Sequence, residues 1–346
     1  MRVAIVGSGG VGGYFGGRLA AAGTDVAFLA RGAHLEALRT RGLQIRSPKG
    51  DVHLPKIRAT DDPSAIGPVD VVFFTVKLYD TQGALAALPP LVGADTVVLT
   101  FQNGVESVDT LVRAVGRAHV GGGVSYVLAA IAEPGVICHT AFDHLIFGEV
   151  DGHHSPRLER LLEACHLAGF RATLSDNIEV DIWTKFVRLT GFSGMTAVTR
   201  SPIGVMVNDP DLLAMFEAAC AEALAVAHAK GVPVSTDVVE GVARAYRALP
   251  PHAKASMLED LERGRRLELP WLSGAIVRLG REVGVDTPIH RFIATVLKPH
   301  VNGTQCALRE AFADKPQTSA SASGSHSPSR AAGASAQHIR TQCDLE

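Results

Sequence analysis

What this chain lacks narrows its chemistry before any motif is read. Its five cysteines, Cys138, Cys165, Cys220, Cys306 and Cys343, are odd in number, scattered, and form no CxxC pair. Neither a disulfide framework nor a cysteine-ligated zinc site is expected from them. Fourteen histidines include no HExxH pattern, and His153-His154 stand in a polar stretch, so no metal is expected. Lys and Arg total 33 against 35 Asp and Glu, a balance that offers no basic surface to nucleic acid or to an anionic membrane. The opening MRVAIVGSGG lacks the basic-then-apolar make-up of a secretory leader, and no apolar run reads as membrane-spanning. The expected setting is the reducing cytoplasm, and the expected partner a small molecule.

The 346 residues, 47% hydrophobic and 20% charged, suffice for two domains and a tail. Over 1–175, short Val/Ile/Phe runs alternate with longer helical stretches, the pattern of an α/β Rossmann-type domain with a mainly parallel sheet. Strands are expected at Val3–Val6, Val26–Leu29, Val69–Thr75, Thr96–Thr100 and His119–Gly121. Two short antiparallel strands, Val136–His139 and His144–Phe147, follow, then a helix over Pro156–Ala168 and a strand at Arg171–Leu174. Over 176–312 every segment reads as helix: Val180–Leu189, Asp211–Lys230, Ser235–Ala248, Ser256–Arg263, Leu269–Val283 and Pro288–Leu297. The stretch 313–346, with KPQTSASASGSHSPSRAAGASAQ at its heart, has too few large apolar residues to offset its ordering entropy, so a disordered low-complexity tail is expected.

Gly7-Ser8-Gly9-Gly10-Val11-Gly12 follows an apolar strand and opens a helix rich in small residues. In that context GxGxxG is a dinucleotide-binding loop: Gly7 allows the tight turn, Gly9 the close approach of a pyrophosphate, Gly12 the close packing of helix on strand. The helix start then offers free N–H groups and a positive dipole end to phosphates. At the end of the second strand stands Arg31 rather than an acid, which favours the 2′-phosphate of NADPH over the free ribose of NADH.

Further motifs follow in order: Thr75-Val76-Lys77, Gln102-Asn103-Gly104, and Trp183-Thr184-Lys185-Phe186 followed by Ser256 and Glu268. With the glycine loop and Arg31, this set resembles the ketopantoate reductase (2-dehydropantoate 2-reductase) family from Met1 to about Ala311. The resemblance implies NADPH-dependent reduction of 2-dehydropantoate to pantoate, on the route to pantothenate and coenzyme A. It implies that Lys185 is the proton donor, with Asn103 beside nicotinamide and substrate and Glu268 facing both. It places Lys77 and the backbone around Ala130 at the cofactor, and Ser256 at the substrate carboxylate. Helical second domains of this kind often dimerise, so a homodimer is compatible with the pattern.

The chain departs from that family where asparagines are usual: Leu189, Ser193 and Ile203 occupy those positions. Ser193 can still hydrogen-bond a substrate, whereas Leu189 and Ile203 cannot through their side chains. A same-fold reductase of another 2-oxo acid or carbonyl compound is therefore an alternative. A non-catalytic NADP sensor is a second alternative, although a sensor needs the glycine loop without Lys185, Asn103, Ser256 and Glu268.

Overall fold

The fold is that of a computed structural model, described for residues 1–303. The chain begins with β1 (Arg2–Val6), α1 (Gly10–Ala21), β2 (Asp25–Leu29), α2 (Gly32–Arg41), β3 (Leu43–Arg46), β4 (Val52–Leu54), β5 (Arg58–Thr60) and β6 (Val69–Phe74). It continues with α3 (Thr81–Leu85), β7 (Val92–Thr100), α4 (Ser107–Val115), β8 (Val120–Glu133), β9 (Val136–Glu149), α5 (Pro156–Leu167) and β10 (Arg171–Leu174). All ten strands belong to one sheet, ordered β4-β3-β9-β8-β7-β6-β1-β2-β5, with β10 on β9. Strands β1, β2, β5, β6 and β7 pair in parallel, so their connections cross over the faces and both faces are covered. Alternation sorts the core accordingly. Val3 and Ile5 face one apolar layer with Phe15 and Leu19 of α1, while Ala4 and Val6 face the other with Leu88 and Leu111.

Two expectations about this half are corrected. The segment at His119–Gly121 is the start of a 14-residue strand, β8, and the two short strands are one 14-residue strand, β9, antiparallel to it. The reason lies on the far edge of β9: Val136, Ile137 and Cys138 pair with β3, and His144 to Phe147 pair with β10. Between those two partners the β8 register shifts and Phe142 adopts φ 60°, so the alternation that marks a strand lapses there. The three-residue strands β4 and β5 and the four-residue β3 were too short to show any period.

The helical half holds α6 (Ile178–Thr199), α7 (Ile203–Asn208), α8 (Pro210–Ala229), α9 (Asp237–Glu240), α10 (Val242–Arg247), α11 (Ser256–Glu262), α12 (Ser273–Val283) and α13 (Pro288–Leu297). The helix expected at Val180–Leu189 runs on to Thr199, nearly three turns further, and that expected at Ser235–Ala248 breaks at Gly241. The start of the helix expected at Leu269–Val283 is a 3-10 turn over Leu269–Trp271. Contrary to the sequence reading, α8 is long and apolar enough to cross a membrane. It packs on α6, α7, α12 and α13, burying Phe216, Cys220 and Val226, and its Glu222 accepts the amides of Ile289 and His290 at 2.8 and 3.0 Å. Residues 304–312 of the expected helical domain and the whole tail 313–346 lie outside the described residues.

Candidate active site

A cavity of about 680 Å³ runs from the glycine loop to the helical half, within the size range of small-molecule and cofactor sites, ~300–1,000 Å³. It opens along the carboxyl ends of β1, β2, β6 and β7, where an open α/β sheet binds its ligands. At one end lies the glycine loop. Gly7 has φ 101°, and a Cβ there would lie 2.7 Å from the Val76 amide nitrogen. A Cβ at Gly10 would run into the Ala129 carbonyl, whereas Gly9 has no atom within 4 Å of where its Cβ would be. That open space stands before the first turn of α1, which no side chain caps, so its amides are available to an anion. The loop itself is pinned, since Thr75 Oγ1 donates to the Gly7 carbonyl at 2.7 Å and Ser8 Oγ to the Leu29 carbonyl at 2.8 Å. The cradle fits a dinucleotide pyrophosphate.

Arg31 lines the same end, exposed, at the N-cap of α2. Val11 lines it as well. Ala130 does not. Its neighbours Ala129 and Ile131 line the wall, because successive strand residues face opposite ways; the backbone nitrogen of Ala130 stays beside Gly10.

The other end is built by both halves. Lys185, on α6, donates from Nζ to Asn103 Oδ1 and to the Ser125 carbonyl, each at 2.8 Å. Burial pushes its pKa down to about 8, against the opposing pull of the Glu268 carboxylate. The Tyr126 ring lies 5.8 Å from the ammonium. Asn103 is held at the exit of β7, where Gln102 Nε2 donates to the Val76 carbonyl at 2.9 Å and to Thr81 Oγ1 at 2.8 Å. Lys77 lines the cavity and meets Asp260 Oδ2 at 3.0 Å and Glu268 Oε2 at 3.5 Å. Glu268 also accepts the Leu78 amide at 2.9 Å. Within the charge-rich stretch 259–268, Asp260 and Glu268 are buried, both meeting Lys77. Ser256 stands exposed on the cavity rim.

Thus the structure brings together Gly7, Ser8, Gly9, Gly10, Val11, Arg31, Lys77, Asn103, Lys185, Ser256 and Glu268 around one cavity. Gly12 lies behind the loop, where a Cβ would collide with the Gly7 carbonyl. Ser193 is a correction: it is 1% exposed, its Oγ has no partner, and it lines no part of this cavity, because two turns of helix past Lys185 it points into the helical core. Ile203 is a core residue, and Leu189 borders a second, water-sized cavity beside Asn103 and Lys185.

Three participants escaped the sequence reading. The Ser125 carbonyl is a backbone group and carries no side-chain signal. Asp260 was hidden among surface-like charges. His34 lines the cavity and accepts the Gly135 amide on Nδ1 at 3.1 Å, tying α2 to the β8–β9 turn; an isolated histidine on a helix gives no hint of that.

A glycine-rich anion cradle continuous with a buried lysine defines a dinucleotide-dependent oxidoreductase of Rossmann type. Residues 3–152 match the profile "Ketopantoate reductase PanE/ApbA", and residues 177–301 match its C-terminal counterpart. The chain belongs to the ketopantoate reductase PanE/ApbA family, whose members use a nicotinamide cofactor. It is 33% identical over 312 residues to the 2-dehydropantoate 2-reductase of Mesorhizobium japonicum, covering 83% of this chain and 94% of that one. It is 31% identical over 291 residues to an uncharacterized oxidoreductase, YkpB, of Bacillus subtilis, covering 84% and 95%. The crystal structure of a PanE/ApbA family ketopantoate reductase from Ralstonia eutropha superposes with TM-score 0.80 at 34% identity, covering 87% and 98%. D-mandelate dehydrogenase with NADH and anilino(oxo)acetate superposes with TM-score 0.79 at 20% identity, covering 87% and 98%, a likeness of fold.

Proposed function

We propose that this protein reduces 2-dehydropantoate to pantoate with NADPH. The observation that carries the reading is the state of the Lys185 ammonium. It has three N–H donors, and the protein accepts two of them, at Asn103 Oδ1 and the Ser125 carbonyl, which leaves one for a carbonyl oxygen in the cavity. The reduced nicotinamide supplies the hydride. Lys185 then stabilises the oxygen as it gains charge and gives it a proton. Asn103, fixed by Lys185 through its oxygen, keeps its amide N–H groups for substrate or nicotinamide. Ser256 on the rim offers a hydroxyl to the substrate carboxylate, and the guanidinium of Arg31 a fork of donors to the 2′-phosphate.

A second reading keeps the chemistry and changes the acid. Leu189 borders the small cavity next to Asn103 and Lys185, and an apolar side chain there suits a 2-oxo acid without the hydroxyl of 2-dehydropantoate. Turnover of NADPH and NADH with 2-dehydropantoate and with a panel of branched and aromatic 2-oxo acids tests both. A kcat/KM for 2-dehydropantoate well above the others supports the first reading; preference for an apolar acid replaces it with the second. NADPH binding without turnover of any of them refutes both.

A further inference from the structure

One short loop of the Rossmann half is gripped residue by residue from the helical half. Lys77 Nζ lies 3.0 Å from Asp260 Oδ2 and 3.5 Å from Glu268 Oε2. The next amide, of Leu78, donates to Glu268 Oε1 at 2.9 Å, and the next side chain, the Tyr79 ring, lies 4.4 Å beneath the Arg266 guanidinium. Lys77 is thereby shared between two carboxylates. Glu268 also acts on Lys185, favouring its ammonium form. Asp260 is the member of this cluster with no place in the chemistry so far. Its side chain is 12% exposed, and its other cation, Arg265, stands off at 3.9 Å on an exposed side chain.

We propose that Asp260 is a positioning residue for the proton donor: by taking a share of Lys77, it leaves the Glu268 carboxylate unneutralised and free to hold Lys185 as an ammonium. This rests on Lys185 being the proton donor.

The sign follows from charge counting. Without the Asp260 charge, Lys77 pairs with Glu268 alone, and a neutralised Glu268 favours the Lys185 ammonium less. Without the Lys77 charge, the Glu268 carboxylate acts on Lys185 unopposed, and its ammonium is favoured. Neighbouring groups do not blur this. Burial alone would lower the pKa of Lys77, but Glu268 and Asp260 together raise it well above the usual lysine range. Tyr79 is raised, by burial first and then by Asp260, Glu268 and Asp80 against the pull of Lys77.

The test is an NMR titration of the full-length protein labelled with ¹³Cε-lysine, the Lys185 signal being assigned by its loss in Lys185→Ala. The pH dependence of kcat is read in parallel. Asp260→Asn should move the Lys185 midpoint down by roughly 0.5 pH or more, and Lys77→Gln should move it up. At the wild-type midpoint the ammonium fraction then drops from half to about a quarter in Asp260→Asn. Asp260→Glu should restore the midpoint. The KM for NADPH should not rise in Asp260→Asn, because the charge removed is negative. A Lys185 midpoint unmoved in folded Asp260→Asn, or moved in the same direction by both variants, overturns the proposal. Opposite displacements with a kcat limb that stays put uphold the electrostatic coupling and refute Lys185 as proton donor.

Discussion

Raising the pH through the range in which Lys185 gives up its proton should switch the reduction off. Burial holds this lysine down to about 8, while Glu268 works the other way; its two acceptors, at 2.8 Å each, also hold the charged form. A midpoint of about 8 leaves roughly nine in ten molecules protonated at pH 7 and one in ten at pH 9. Turnover in the reducing direction should therefore fall about tenfold between those pH values. Oxidation of the hydroxy acid, which needs the neutral amine as base, should rise over the same span. Lys185→Ala removes the donor, and loss of a general acid costs about 10²–10⁴ in rate, or roughly 3–5 kcal/mol of barrier. Cofactor affinity should change little, because this interaction matures in the transition state. The assay is nicotinamide absorbance from pH 6 to pH 10 in both directions, with cofactor affinity from nicotinamide fluorescence. A flat profile, or limbs of the same sign in the two directions, refutes the reasoning, as does equal loss of turnover and cofactor affinity in Lys185→Ala.

Three more outcomes are expected. Arg31→Ala should raise the KM for NADPH roughly tenfold while leaving that for NADH nearly unchanged, since only the 2′-phosphate loses a charge-assisted contact; equal effects on both cofactors would remove Arg31 from that role. Arg157 meets the buried Glu149 through two bonds of 2.7 Å, and Arg157→Met should cost about 3–5 kcal/mol in urea unfolding by stranding a buried carboxylate. Burial alone would raise the pKa of Glu149, but Arg157 and Ser155 override it and hold it below the usual range. Its contribution to stability is therefore present above the usual carboxylate pKa and is lost as the pH falls below it; acid unfolding should show that component in the wild type and not in the variant. Finally, Ser193→Ala should leave every KM unchanged and be neutral to stabilising by up to ~1 kcal/mol, because it removes a buried hydroxyl with no partner. A raised KM for the 2-oxo acid would put Ser193 back in the substrate site.

Much of this was legible along the chain because local physics writes it there. The loop from Gly7 to Gly12 needs its glycines for reasons of backbone geometry, and Arg31, Lys77 and Asn103 each stand just past an apolar strand, where the sheet opens to ligand. Lys185 stood out only through the resemblance of Trp183, Lys185, Ser256 and Glu268 to the ketopantoate reductase pattern, since by itself it reads as an ordinary helix lysine. What stayed hidden depends on partners distant in sequence. Asp260 looks like any surface acid until Lys77, 183 residues earlier, draws it in. Ser193 has the spacing of a ligand residue, but the helix carries it past the cavity into the core. The β8–β9 ribbon was read as fragments because the pairing that completes β9 comes from β3 and β10, not from its own pattern.

That pairing bears on how the protein emerges from the ribosome. Strand β3 lies beside β9, joined through Gln44 to Val136 and Ile45 to Ile137, so its parallel neighbour is made some ninety residues after it. A nascent chain that stops short of residue 136 presents β3 and β4 as an antiparallel scrap with an uncovered edge, a template for unwanted pairing. Such long-range closure is slow, because its loop entropy must be met before any contact rewards it. The N-terminal half cannot complete its sheet in the order in which it is synthesised, and early truncation products should aggregate where longer ones fold.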